Sequence, residues 1–159
     1  HDRGIKMKVT RSFIIVFLFF LIVFNIHTLF AKEQKIIKPK EFGVYVKTKT
    51  GLVRLLPNLV FEEEGIFFLE SNKPQTFPLK DVQYFMIYGQ YDINVLTFNP
   101  LLFYGTSFVG KQRYIFGKDI EITVNKQKDD LYVIKPKGLL GRGYFCLWIN
   151  DSAWDFIIE

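Results

Sequence analysis

The residues of this chain that could do chemistry are mainly carboxylates, because histidine and cysteine are scarce. The two histidines, His1 and His27, lie in or before an N-terminal apolar segment, and Cys146 is the only cysteine. A chain without histidine after residue 31 cannot build a Ser-His-Asp or Cys-His site, a histidine zinc site or a two-histidine iron site there. The sequence also has no P-loop, dinucleotide fingerprint or G-x-S-x-G elbow. It therefore predicts no cofactor, no metal site and no catalytic residue.

Carboxylates occur in short runs, Glu62–Glu64 and Asp129–Asp130, and singly as Asp151 and Asp155. Such runs usually form solvated turns. Two carboxylates facing each other roughly 5 to 9.5 Å apart would instead support glycoside hydrolysis. Because no spacing pairs them, a carboxylate-dependent hydrolase acting on envelope carbohydrate is only an alternative. Cys146 lies inside an apolar run, which predicts a small buried hydrophobic side chain instead of a reactive thiol.

Aromatic side chains are the second group of candidates, since 22 of them follow residue 31. Stacking on Tyr or Trp is one way in which a β-sandwich holds a sugar or a peptide. Most of the rings alternate with polar residues and are predicted to be core. The rings left over after that assignment are the ligand-binding candidates Tyr45, Tyr132, Tyr144 and Trp148. They would serve an unknown envelope protein or a glycan, in the second case as a carbohydrate-binding accessory module.

The C-terminal segment must position several of these candidates. In Tyr144–Ile149 the side chains on both faces are apolar, which predicts a central strand covered on both sides. The second cover would be the segment 101–110 or another molecule. The preceding run, Leu140–Phe145, is typical of an arch pinned by a corner tyrosine.

A polar turn at 150–152 then leads into the last strand of a hairpin. Its alternation predicts that Trp154, Phe156 and Ile158 face the core while Asp155 faces solvent. Trp154→Ala should then be costly and Asp155→Ala nearly neutral.

The rest of the chain predicts about nine strands with short turn-rich links and no helical period. Strand alternation places Phe42, Val44 and Val46 inward, and likewise Ile120, Ile122 and Val124. A polar turn ending at Gly65 joins two strands, and Asn99-Pro100 is predicted to end another pair. The favoured fold is an all-β antiparallel β-sandwich of the Ig-like or Greek-key type, as a single domain over residues 42–159. An open β-barrel is the alternative.

The N-terminus resembles an export signal in its pattern. After Met7 and two basic residues comes an unbroken apolar run, Phe13–Phe24, and Ala31 offers a small residue for cleavage. The segment is predicted to be a signal helix removed after Ala31, or otherwise an uncleaved anchor of residues 13–31. A charged lead-in, residues 32–41, follows it. In both cases the β domain would be exported, periplasmic or extracellular.

Charge excludes one class of partner. The net charge is +5, but residues 1–31 hold four of the 21 basic residues and one of the 16 acidic ones, which leaves 17 against 15. This balance, without a basic stripe or an RNA-binding motif, argues against nucleic acid. Membrane contact is predicted only through the N-terminal segment. The sequence thus predicts an exported, non-catalytic binding or structural module of the cell envelope with an unknown ligand.

Overall fold

The computed structural model describes residues 36–71 and 73–159, and the all-β prediction is confirmed there. The predicted signal peptide or anchor, residues 1–31, lies outside the described residues, as do residues 32–35 of the lead-in. Residues 38–159 form one compact unit. Its strands are β1 (Gly43–Thr48), β2 (Leu52–Leu55), β3 (Asn58–Glu63), β4 (Ile66–Glu70), β5 (Gln75–Phe77), β6 (Val82–Tyr88), β7 (Thr97–Thr106), β8 (Gln112–Phe116), β9 (Ile122–Lys126), β10 (Leu131–Pro136), β11 (Gly143–Ile149) and β12 (Ser152–Ile158). One 3-10 helix, Leu79–Asp81, precedes β6, and a second, Ile93–Val95, lies between β6 and β7.

The strands form two sheets. The five-stranded sheet has the order β2-β1-β6-β10-β9 and is antiparallel throughout. The second sheet has the order β11-β7-β8-β4-β3-β12-β5, and β11 also pairs with β12 from Gly143↔Ile158 to Ile149↔Ser152. That pairing closes β11, β7, β8, β4, β3 and β12 into a six-stranded barrel, while β5 adds to β12 in parallel.

One core lies between the five-stranded sheet and the barrel. Phe85 of β6 has its ring centroid 5.0 Å from that of Phe156 on β12 and 5.3 Å from that of Phe98 on β7. Trp154 is only 5% exposed and belongs to this core with Phe156 and Ile158, so the predicted inward face of the last strand is confirmed. The period of two along β12 places these residues on one side of the strand.

A second core fills the barrel. Its fully buried members are Leu69, Leu101, Cys146 and Ala153. Aromatic rings close around them: Trp148 stacks on Phe116 at 4.3 Å, and Tyr144 meets Tyr114 edge-on at 4.7 Å. The second face of β11 is therefore covered by the barrel itself. Cys146 is a small buried side chain, as the sequence predicts.

The middle of the chain differs from the sequence prediction. Asn99-Pro100 lies inside the ten-residue strand β7 and does not end a strand pair. Asn99 is buried there, and its side-chain amide is satisfied. Its Oδ1 accepts from the Thr97 hydroxyl (2.6 Å), and its Nδ2 donates to the Gly117 backbone oxygen (3.0 Å) and to Asp119 (2.6 Å). A register shift after Phe103 hides the alternation of the same strand.

Two predicted inward positions are also exposed. Phe42 precedes β1 and is 62% exposed, and Val124 on β9 is 38% exposed. β9 is the edge strand of the five-stranded sheet and has a neighbouring strand on one side only. The β3–β4 turn is polar, as predicted, but shorter: it consists of Glu64 (φ 52°) and Gly65 (φ 82°), while Glu62 and Glu63 belong to β3.

Candidate functional site

Asp155 on β12 lies inside the barrel, which overturns the prediction that it faces solvent. It is opposite Cys146 in the β11–β12 register and only 9% exposed. Alternation along β12 correctly separates Asp155 from Trp154. It does not reveal that β3 and β4 close over the other face, because that closure depends on pairings distant in sequence.

Three polar side chains surround this carboxylate. Tyr144 of β11 donates its hydroxyl hydrogen to Asp155 Oδ2. Asn58 Nδ2 donates to the Glu70 backbone oxygen at 2.8 Å and lies 3.5 Å from Asp155 Oδ1. Ser71 Oγ lies 3.4 Å from the Tyr144 hydroxyl oxygen. Asp155 and these three side chains are here called the interior carboxylate site. Their polar groups satisfy one another and would be costly to bury without partners.

Burial shifts the pKa values of two groups in this site. It raises the pKa of the Asp155 carboxyl, against the opposing effect of hydrogen bonds from Tyr144, the backbone and Asn58. Burial also raises the pKa of the Tyr144 hydroxyl, and the neighbouring Asp155 carboxylate raises it further. Tyr144 consequently stays protonated and remains the hydrogen-bond donor.

A small pocket connects the interior carboxylate site with solvent. It has a volume of about 60 Å³ and is lined by Leu56, Pro57, Asn58, Lys73, Pro74, Gln75 and Asp155. This space accommodates a few water molecules, whereas pockets for organic ligands measure roughly 300–1,000 Å³. The interior carboxylate site can therefore exchange a proton with water through this pocket.

A larger cleft lies on the outside of the barrel. Its volume is about 250 Å³, and its lining residues are Glu63, Glu64, Ile66, Phe68, Tyr104 and Arg113. The Arg113 guanidinium carbon lies 4.7 Å from the centroid of the Phe68 ring, and Nη1 bonds Glu63 at 3.1 Å. Arg113 Nε lies 3.5 Å from Glu70 Oε1 without forming a hydrogen bond. The Arg113 guanidinium thus lies within ion-pair distance of two carboxylates, those of Glu63 and Glu70.

The β7–β8 hairpin carries the most exposed apolar residues near this cleft. Leu102, Phe103 and Tyr104 of β7 are each more than half exposed, and Phe108 and Val109 in the turn project into solvent. The sequence signal for this surface is the run LLFYGTSFVG, whose apolar residues do not alternate. Sequence reasoning treated it as a cover for β11 and missed Tyr104, Phe108 and Arg113 as candidates.

The four ring candidates lie in different places. Tyr144 and Trp148 both pack against the core of the barrel, and the Trp148 indole nitrogen donates to the Asn150 backbone oxygen. Tyr45 is buried on β1, and Tyr132 on β10 is half-buried beside Lys126. A ligand-binding role for these four rings stays a prediction.

The prediction of a corner tyrosine at Leu140–Phe145 is wrong. The Tyr144 hydroxyl bonds the Asp155 side chain, whereas a corner tyrosine bonds backbone a few residues upstream. Tyr45 makes that kind of bond instead, donating to the Glu41 backbone oxygen at 2.7 Å.

Two further properties concern residues 36–71 and 73–159. Within these ranges no three His, Cys, Asp or Glu side chains converge in a way that could hold a metal ion. The same ranges contain no helix with the length and apolarity needed to cross a bilayer.

No family profile, curated protein or solved structure matches this chain.

Proposed function

We propose that this protein is an exported, non-catalytic binding module of the cell envelope that contacts its partner through the β7–β8 hairpin. The observation that carries the proposal is the concentration of exposed apolar side chains on that hairpin, Leu102, Phe103, Tyr104, Phe108 and Val109. Exposed apolar side chains are usually scattered singly on a monomer, whereas several of them on one hairpin often mark an interaction site. None of these five residues belongs to either of the two cores described above.

The local chemistry favours binding over catalysis. The interior carboxylate site opens only onto a pocket of about 60 Å³, and Glu63 and Glu70 share the charge of Arg113. These two carboxylates are thus held as ion-pair partners of one cation.

Photo-crosslinking in the native host tests the binding proposal. A benzophenone amino acid in place of Phe108 should form adducts with an envelope component after irradiation. The same group in place of Val124, on the edge strand β9, serves as the control and should give no such adduct. Absence of adducts at 108, or equal adducts at both positions, would contradict a binding role for the hairpin.

A carbohydrate-binding accessory module is a second candidate, favoured by the outer cleft. Tyr104 presents an exposed ring there, and Arg113, Glu63 and Glu64 supply polar groups that could bond sugar hydroxyls. Tyr104→Ala should then abolish retention on insoluble envelope polysaccharide, while Val95→Ala, at an exposed position in a 3-10 helix, should retain it. Equal retention of the two variants would exclude this cleft as a glycan site.

Export is the remaining part of the proposal and rests on the sequence pattern of residues 7–31. Mass spectrometry of the protein from its native host should identify Lys32 as the first residue. An intact leader in the membrane fraction would establish the anchor alternative.

We also propose the finer description of the fold as an Ig-like or Greek-key sandwich, in which the barrel takes the place of the second sheet. The shared core of Phe85, Phe98 and Phe156 supports it. An experimental structure in which these three rings lie apart would refute this description.

A further inference from the structure

Two loop tips of the molecule carry fully exposed apolar side chains. Phe108 and Val109 occupy the turn between β7 and β8, and Leu139 lies in the loop between β10 and β11. Single exposed apolar residues are common on proteins. Two fully exposed large residues on separate tips are more informative when both tips lie at the same end of the molecule.

The strand register places both tips beyond one end of the β7–β11 pair. Phe145 of β11 lies opposite Pro100 of β7, and the strands are antiparallel. β7 continues past this point to Thr106 before its turn, and the loop with Leu139 enters β11 at Gly143. Both segments therefore leave the sheet in the same direction.

Basic residues accompany both tips. Segments 106–113 and 135–142 together contain Lys111, Arg113, Lys135, Lys137 and Arg142 and no acidic residue. Three of these cations have acidic partners elsewhere: Lys111 with Glu70 (3.3 Å), Arg113 with Glu63 (3.1 Å) and Lys137 with Glu121 (3.4 Å). In the part of the chain that the structure describes, Arg142 has no acidic group within 4.0 Å and is exposed.

We propose that this end of the molecule docks on an anionic lipid bilayer, with Phe108, Val109 and Leu139 entering the interfacial region. The inference rests on the proposed binding function and names the partner of its hairpin. Small, separate apolar tips suit a fluid interface, because insertion needs no shape-matched pocket. Arg142, which has no acidic partner among the described residues, would face the lipid phosphates.

The position of Tyr104 fits the same geometry. It lies on β7 a few residues before the tip and is half-exposed. Tyrosine favours the headgroup level of a bilayer, where its ring is apolar and its hydroxyl remains hydrated. Docking by the tip would bring this ring close to that level.

An environment-sensitive fluorophore placed on the full chain tests the proposal directly. Val109→Cys, Leu139→Cys and, as the control on β9, Val124→Cys are each labelled with a nitrobenzoxadiazole dye, since the native Cys146 is buried. The vesicles are phosphatidylcholine with or without phosphatidylglycerol. We expect a blue shift and brighter emission at positions 109 and 139 on the anionic vesicles only, and no change at 124.

A second variant measures the contribution of the apolar tip. Phe108→Ser in the labelled Leu139→Cys protein should lower the ratio of shifted to unshifted probe about tenfold, the effect expected from withdrawing one aromatic ring from the interface. Because the reporter sits on the other loop, this loss would show that both tips dock together. An unchanged ratio would overturn joint insertion.

The remaining outcomes separate the lipid inference from the proposed function. Unshifted probes at 109 and 139 on anionic vesicles, or an equal shift at 124, would overturn lipid docking. An equal response to pure phosphatidylcholine would overturn the anionic preference. If Phe108 crosslinks to an envelope protein or glycan while the probes stay unshifted, the binding function stands and lipid docking fails.

Discussion

At the scale of single residues, the Asp155 carboxyl should make folding stability depend on pH. Its pKa in the folded protein is raised above the ordinary value of 3.8 by burial. The folded chain therefore binds this proton more tightly than the unfolded chain. Its contribution to stability is fully present below about pH 4 and is lost as the pH rises through the raised pKa.

We therefore predict that the wild-type protein loses stability relative to Asp155→Asn as the pH rises from about 4 to neutrality. Asparagine keeps the shape and can still accept the Tyr144 hydrogen bond but does not ionise. Urea denaturation of both proteins across this pH range gives the difference in free energy of unfolding, in which other carboxyls such as Asp129 cancel. A difference that does not change with pH would show that Asp155 has an ordinary pKa.

Tyr144 should contribute measurably through its hydroxyl alone. Tyr144→Phe removes the hydrogen bond to Asp155 and leaves the buried carboxylate oxygen without that donor. We expect a loss of about 1–3 kcal/mol in the free energy of unfolding, measured by chemical denaturation at neutral pH. Tyr104→Phe, at an exposed ring, should stay within about 0.5 kcal/mol. Equal effects of the two changes would contradict the buried pair.

The sequence could identify the residues of this site but not their grouping. Alternation correctly placed Asp155 and Trp154 on opposite faces of one strand. The partners Asn58 and Ser71 come from the other end of the chain, so no local pattern connects them to Asp155. The sequence predicts a solvated Asp155 for the same reason. Barrel closure depends on β3 pairing with β12 through only two residue pairs, which no local pattern reveals.

At the scale of elements, the crossing of the chain after β8 depends on a glycine. A Cβ on Gly117 would lie 2.8 Å from Pro100 Cγ and 3.1 Å from the Pro100 backbone oxygen. The same backbone contact includes the hydrogen bond from Gly117 N to Pro100 O at 2.7 Å. Strand β7 and the segment after β8 can approach this closely only without a side chain.

We predict that Gly117→Ala destabilises the fold by about 1–3 kcal/mol, as overpacking does in other cores. Gly51→Ala is the matched control, since a Cβ there meets no atom within 4 Å. Denaturation midpoints of both variants measure the difference. If both substitutions were equally tolerated, the close contact between Gly117 and Pro100 would not exist in solution.

Element prediction succeeded where polarity alternates regularly and failed where buried polar groups find distant partners. The hairpin of β11 and β12 follows from alternation and the Asn150-Asp151 turn. The sequence predicts a strand end at Asn99, because asparagine favours turns. Its amide is instead satisfied by Gly117 and Asp119, about twenty residues later, which a local reading of the sequence does not reveal.

At the scale of the whole molecule, β11 and β12 belong to both cores at once. Phe145, Leu147 and Trp154 point into the core between the sheets, while Cys146 and Ala153 point into the barrel. If one core lost its packing, β11 and β12 would move and would disturb the other core as well. We therefore expect the β domain to unfold as one cooperative unit.

The two tryptophans provide one probe in each core. Trp154 meets Tyr91 edge-on at 5.6 Å in the core between the sheets, and Trp148 stacks on Phe116 inside the barrel. In Trp148→Phe the fluorescence reports only the first core, and in Trp154→Phe only the second. For each variant, the urea midpoint from fluorescence should coincide with the midpoint from far-ultraviolet circular dichroism. The variants will differ in absolute stability, so each midpoint is compared within one protein. If Trp148 fluorescence changed at lower urea than the dichroism, the barrel would open before the shared strands unfold, and the two cores would be energetically separate.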